Sequence, residues 1–93
     1  MTDSTRSPEE ILRRLRFRAW HRGTREMDYM MGCFFDRFSA GWNEAETALF
    51  AELLGEEDPD VMAWIMGTAP IPDRFAGPMM DALRKLDYVT IAR

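Results

Sequence analysis

From Met27 to Phe38, apolar residues fall at spacings of 0, 3, 4, 7, 8 and 11: Met27, Met30, Met31, Phe34, Phe35 and Phe38. That is one face of an α-helix, and the strongest periodic signal in the chain. Gly32 and Cys33 lie off this stripe and are small enough to let a neighbour approach closely. An earlier helix starts at Ser7-Pro8-Glu9-Glu10, a capping box with serine at the N-cap and proline in the first turn. Ile11, Leu12, Leu15 and Ala19 mark its inner face, while Phe17 and Trp20 fall off the stripe and are expected to be exposed. Gly23 is expected to stop this helix and Thr24 to cap the next.

Ser39-Ala40-Gly41 reads as a turn, and Asn43-Glu44-Ala45-Glu46 as a second capping box. The helix it opens runs through Leu54, with Ala45, Leu49, Phe50, Leu53 and Leu54 inward. Asp58-Pro59 begins a short helix through about Met66, ended by Gly67. Pro70 and Pro72 bracket an extended link, after which Asp73 is expected to cap a last helix carrying Phe75, Met79, Leu83 and Leu86. Tyr88-Val89-Thr90-Ile91 is a β-prone tail, free either to pack or to fray. The expectation is an all-α fold, a compact bundle of about five helices forming one domain over 1–93, with 1–6 and 88–93 as flexible tails.

Composition narrows the functions open to this bundle. Of the 93 residues 46% are apolar and three are Trp, enough for a core and against disorder. One cysteine, Cys33, and one histidine, His21, allow no internal disulfide and no cysteine-rich or histidine-rich metal site. No apolar run approaches the roughly 20 residues of a membrane span, and the polar N-terminus resembles neither a secretory signal nor a transit peptide. A cytoplasmic location is expected. The net charge of −4 is unevenly spread. Residues 1–25 hold Arg6, Arg13, Arg14, Arg16, Arg18, Arg22 and Arg25 against Asp3, Glu9 and Glu10, and the other thirteen acids lie beyond. Arginine in place of lysine favours forked contacts to carboxylates or phosphates.

Catalytic chemistry is poorly served. Cys33 and His21 would be the nucleophile and base of a small enzyme, but no oxyanion hole or nucleophile elbow accompanies them. Both read better as structural residues, Cys33 in helix packing and His21 at a helix end. The acids Glu56, Glu57, Asp58 and Asp60 read as dipole-matched caps, without the spacing of a calcium loop. There is no glycine-rich phosphate loop, so no nucleotide or flavin is held in a standard way. The first-helix arginines leave open a nucleic-acid-binding regulator, although the acidic remainder argues against it. The dense cluster Arg22-Gly23-Thr24-Arg25-Glu26 remains, beside Phe17 and Trp20. As an ordinary Arg22/Glu26 surface pair it is worth only about 0.2–0.5 kcal/mol. Arginine and aromatic side chains around a glycine also compose a protein-recognition hot spot.

These residues resemble the succinate dehydrogenase assembly factors, the small flavinylation factors marked by R-G-x-x-E. The motif stands here as Arg22-Gly23-Thr24-Arg25-Glu26, continued by Met27-Asp28. It follows an arginine-bearing helix and leads into "FFDRF", "WNEAETALFAELL" and "EEDPDVMAWIMG", segments similar to the family's over about residues 11–86. The resemblance implies a five-helix assembly factor, not an enzyme; the lack of a transit peptide points to a bacterial member, and a monomer is expected. It implies binding to the flavoprotein subunit of succinate dehydrogenase, with fumarate reductase as a further client, and promotion of covalent attachment of FAD to a histidine of that subunit. It implies no cofactor of the factor's own, since the FAD belongs to the partner. Arg22, Gly23 and Glu26 are the implied contact residues, with Arg25 and Asp28 adjacent. On this reading Arg22 forks onto the partner, Glu26 steadies Arg22 or accepts from the partner, and Gly23 admits the partner's backbone.

Overall fold

A computed structural model describes residues 7–90. Five α-helices follow one another: α1 (Pro8–Trp20), α2 (Arg25–Phe38), α3 (Glu44–Leu54), α4 (Asp58–Met66) and α5 (Pro78–Lys85). Single 3-10 turns occupy Ser39–Gly41 and Asp73–Phe75, and there is no strand among the described residues. The fold is all-α, as the periodicity requires.

The helix starts are set by their caps. Ser7 accepts from the Glu10 amide at 3.2 Å, and Thr24 accepts from the Met27 amide at 3.2 Å. Asn43 completes a full capping box: its Oδ1 accepts from the Glu46 amide at 2.8 Å, and Glu46 Oε1 accepts from the Asn43 amide at 2.9 Å.

Helix α2 is the axis of the core. Met27, Met30, Met31, Phe34 and Phe35 are all buried, and so are Gly32 and Cys33 on its other side. The helix is therefore covered from more than one direction. Phe50 of α3 lies 6.0 Å from the rings of both Phe34 and Phe35, and Trp42 closes on Phe50 at 4.9 Å. The last segment returns across α2. Tyr88 stands edge-on to Phe34 at 5.1 Å, donates its hydroxyl proton to the Leu83 carbonyl, and is 3% exposed. Cys33 Sγ points at the Thr90 carbonyl, 3.6 Å away.

Three expectations from the sequence are corrected here. Trp20 is half-buried, not exposed, because it lies flat on Gly32: a Cβ there would sit 2.2 Å from its ring. Phe17 is 63% exposed, as its position off the stripe suggested. Ala45, in the first turn of α3, faces solvent rather than the core. The expected last helix is two elements. After the Asp73–Phe75 turn the chain extends again through Ala76, and α5 begins only at Pro78. Of the two outcomes left open for the tail, Tyr88 to Thr90 take packing, through the contacts above. Residues 1–6 and 91–93, including Ile91, lie outside the described residues.

Candidate functional site

The link from α1 to α2 is four residues long, His21 to Thr24, and every turn of it has a local cause. His21 ends α1 by leaving the helical conformation, its ring stacked on Phe17 at 3.9 Å and its Nδ1–H donating to the Phe17 carbonyl at 2.7 Å. Gly23 sits at φ +114°, a conformation that side chains disfavour, and a Cβ built there would meet nothing within 4 Å. Thr24 then turns the chain into α2. The glycine is thus demanded by the backbone, and it also leaves a bare, open surface at the apex.

Arg22 is the keystone of this elbow. Its amide donates to Asp28 Oδ1 in the first turn of α2. Its guanidinium reaches away from the apex to the junction of the α3–α4 loop with α4, where Nε and Nη2 donate to Asp58 Oδ1, at the first residue of α4, at 3.0 and 2.8 Å. Nη2 also donates to the Glu56 carbonyl at 3.3 Å. The two side chains of the pair are 12% and 23% exposed, so solvent screens them less than a surface pair.

The five residues singled out from the sequence therefore divide. Arg22 and Asp28 face into the molecule and build the elbow, and the Arg22 fork is engaged within the chain rather than directed at a partner. Gly23, Arg25 and Glu26 are exposed. Glu26 does not steady Arg22; Asp58 and Asp28 do. Beside the apex a shallow open groove is lined by Trp20, His21, Gly23, Arg25, Asp28 and Tyr29, with Trp20 and Tyr29 edge to face at 6.0 Å.

Asp58 and Glu56 are the residues that sequence reasoning missed. They lie 36 and 34 positions from Arg22 and were read as helix caps, which no short-range pattern could correct. Further along the same two helices, Arg16 Nε and Nη2 fork onto both oxygens of Asp36 at 2.8 and 3.2 Å, and Trp20 Nε1–H donates to the same carboxylate at 3.3 Å. The Asp36 hydrogen bond and charge raise the Arg16 pKa further above its ordinary value. Two of the leading arginines are thus committed to carboxylates of this chain.

The arrangement offers a recognition surface. Cys33 is buried against Thr90 while His21 is exposed on Phe17, so neither faces a common pocket. Among the described residues no group of three or more His, Cys, Asp and Glu side chains could hold a metal ion, and no helix is long and apolar enough to cross a membrane.

Comparison with known proteins gives this surface a family. The family described as "Flavinator of succinate dehydrogenase" (Sdh5) matches residues 13–87. The chain is 37% identical over 68 residues to the FAD assembly factor SdhE of Acetobacter pasteurianus, covering 73% of this chain and 62% of that protein. It is 30% identical over 63 residues to the SdhE of Haemophilus ducreyi, covering 68% of this chain and 77% of that one. It is 28% identical over 74 residues to the mitochondrial succinate dehydrogenase assembly factor 2 of Drosophila grimshawi, covering 77% of this chain and 50% of that protein. The chain thus spans less than two thirds of the Acetobacter protein and half of the Drosophila one. No solved structure matches it significantly. Since the match runs from within α1 to just beyond α5 and takes in the whole elbow, the chain belongs to the family of succinate dehydrogenase flavinators.

Proposed function

We propose that this chain docks on the flavoprotein subunit of succinate dehydrogenase and promotes covalent attachment of FAD to it, contributing surface and no reacting group. It acts in this reading as a cytoplasmic monomer without a cofactor of its own, and the flavoprotein of fumarate reductase is a second client. The relatives are called FAD assembly factors, which supports the partner. The observation that carries the reading is the divided motif: Gly23, Arg25 and Glu26 are outward while Arg22 is anchored behind them.

The flavin is electrophilic in its own right and the acceptor residue belongs to the partner. What remains for a helper is alignment. It shifts the flavoprotein toward the conformer in which flavin and acceptor meet, and it can do so only by binding that conformer better than the rest. A hundredfold preference, about 2.7 kcal/mol, raises a rare conformer about a hundredfold. A rigid elbow suits the task because little conformational entropy is lost when it docks.

The test is a binding titration of the purified chain against FAD-free flavoprotein supplied with FAD. Glu26→Ala and Arg25→Ala are expected to weaken binding while keeping the helical circular dichroism. Wild-type affinity for Glu26→Ala would remove the apex from the interface. The same titration with fumarate reductase flavoprotein reads the second client.

A further inference from the structure

We propose that Asp58 is a positioning residue for docking: acting through Arg22, it fixes the direction in which Gly23, Arg25 and Glu26 are presented. The proposal rests on the docking reading above.

The link between α1 and α2 needs such an anchor. It is four residues long and contains a glycine at φ +114°, so the backbone alone resists bending weakly. Thr24 and Asp28 tie the elbow only to α2. Arg22 is different, because its guanidinium leaves both helices and grips a third part of the molecule. Asp58 Oδ1 receives two of its N–H groups and the Glu56 carbonyl a third. A fork held at three points fixes orientation as well as distance.

The loop that receives Arg22 is itself held. The Glu56 carboxylate pairs with Arg74, whose guanidinium lies 4.5 Å from the centroid of the Phe75 ring. Phe75 is 3% exposed and packs on Trp64 of α4 at 5.5 Å. A continuous set of contacts therefore runs from the core beneath α4, through Arg74 and Glu56, to Arg22 and the exposed apex. The Arg16–Asp36 pair is a contrast. It joins α1 to α2 at side chains 58% and 39% exposed and touches neither Arg22 nor the α3–α4 loop.

A positioning role is separable from a purely stabilising one by a double-mutant cycle. Affinities for FAD-supplied flavoprotein are compared for wild type, Asp58→Asn, Glu26→Ala and the double variant. Asp58→Asn is expected to weaken binding roughly tenfold with helical circular dichroism retained, and Glu26→Ala is expected to cost less in the Asp58→Asn background than in wild type. Lost orientation makes the two effects overlap, whereas a change in fold stability alone leaves them multiplicative. Wild-type affinity for Asp58→Asn, or strictly multiplicative losses, overturns the proposal while leaving the docking reading intact. A neutral Glu26→Ala overturns the docking reading and this proposal with it. Should Asp58→Asn not fold, Arg22→Lys reads the same coupling from the other partner, since lysine keeps the charge and loses the fork.

Discussion

At the scale of single residues, Gly23 carries two requirements that are separable. One is conformational. At φ +114°, with no atom within 4 Å of a Cβ, substitution is penalised by the backbone and not by a clash. Gly23→Ala is therefore expected to lower stability by about 1–3 kcal/mol, with an unchanged circular dichroism spectrum below the transition. For a domain of this size each kcal/mol lowers Tm by about 4–8 °C. A thermal melt checks this, and an unshifted Tm would mean that the link relaxes to another conformation at no cost. The second, on the proposed docking, is an open apex for a partner, which a melt does not sense. The motif's spacing singled out the link between α1 and α2 but not which way each side chain faces. Arg22 and Glu26 are four apart and were natural partners on an unbroken helix. Helix α1 has already ended at Trp20 with His21 as its C-cap, before the expected stop at Gly23, and a distant carboxylate takes the arginine.

At the scale of elements, the pairing of α1 with α2 depends on the absence of a side chain at Gly32. Trp20 covers that position, and a Cβ would approach its ring to 2.2 Å, well inside contact distance. Gly32→Val is expected to push Trp20 off α2, at a cost of about 1–3 kcal/mol. Trp20 also donates to Asp36 and lines the groove beside the apex, so its displacement should redden tryptophan emission as well as lower the denaturation midpoint. Unaltered emission and midpoint would place the indole elsewhere. The small residues of α2 were legible as a site of close approach, and the identity of the neighbour was not, because Trp20 falls off the α1 stripe. Helix starts were the most readable boundaries, since Ser7, Thr24 and Asn43 each act through an amide three residues away. The segment after Pro72 was misread as one helix because Asp73 and Phe75 mimic a cap and a first apolar position. The chain straightens at Ala76 before Pro78 can begin α5.

For the whole molecule, closure depends on the return of the chain after α5. Leu86 ends that helix at φ +57°, turning the chain so that Tyr88 reaches Phe34. Burial, with smaller contributions from Cys33 and Asp87, pushes the Tyr88 phenol above its ordinary value near 10. The folded state therefore holds that proton more tightly than the unfolded chain does. Stability from this group is complete below about pH 10 and falls as pH rises beyond it, because the unfolded chain alone releases the proton there. Tyr88→Phe is expected to lose about 0.5–1.5 kcal/mol near neutrality with its hydrogen bond to Leu83, and to flatten the alkaline decline. Denaturation at pH 8 and pH 11 checks both parts, and an equally steep decline in the variant would assign it to other groups. The tail's fate was undecided in the sequence because its pattern is too short to distinguish packing from fraying. Only its aromatic partners on α2, Phe34 and Phe38, decide it.

The central claim is that a rigid helical elbow assists a reaction whose reacting atoms all belong to its partner. The most direct measurement is covalent flavin formed over time in a defined mixture of FAD-free succinate dehydrogenase flavoprotein, FAD and this chain. Covalent flavin is read by fluorescence after denaturing electrophoresis. Faster incorporation is expected with the wild-type chain, with a marked slowing for folded Glu26→Ala and Arg22→Ala and wild-type rates for Cys33→Ala and His21→Ala. Incorporation that is indifferent to the chain, or that vanishes with Cys33→Ala or His21→Ala while the apex variants remain active, would contradict the claim.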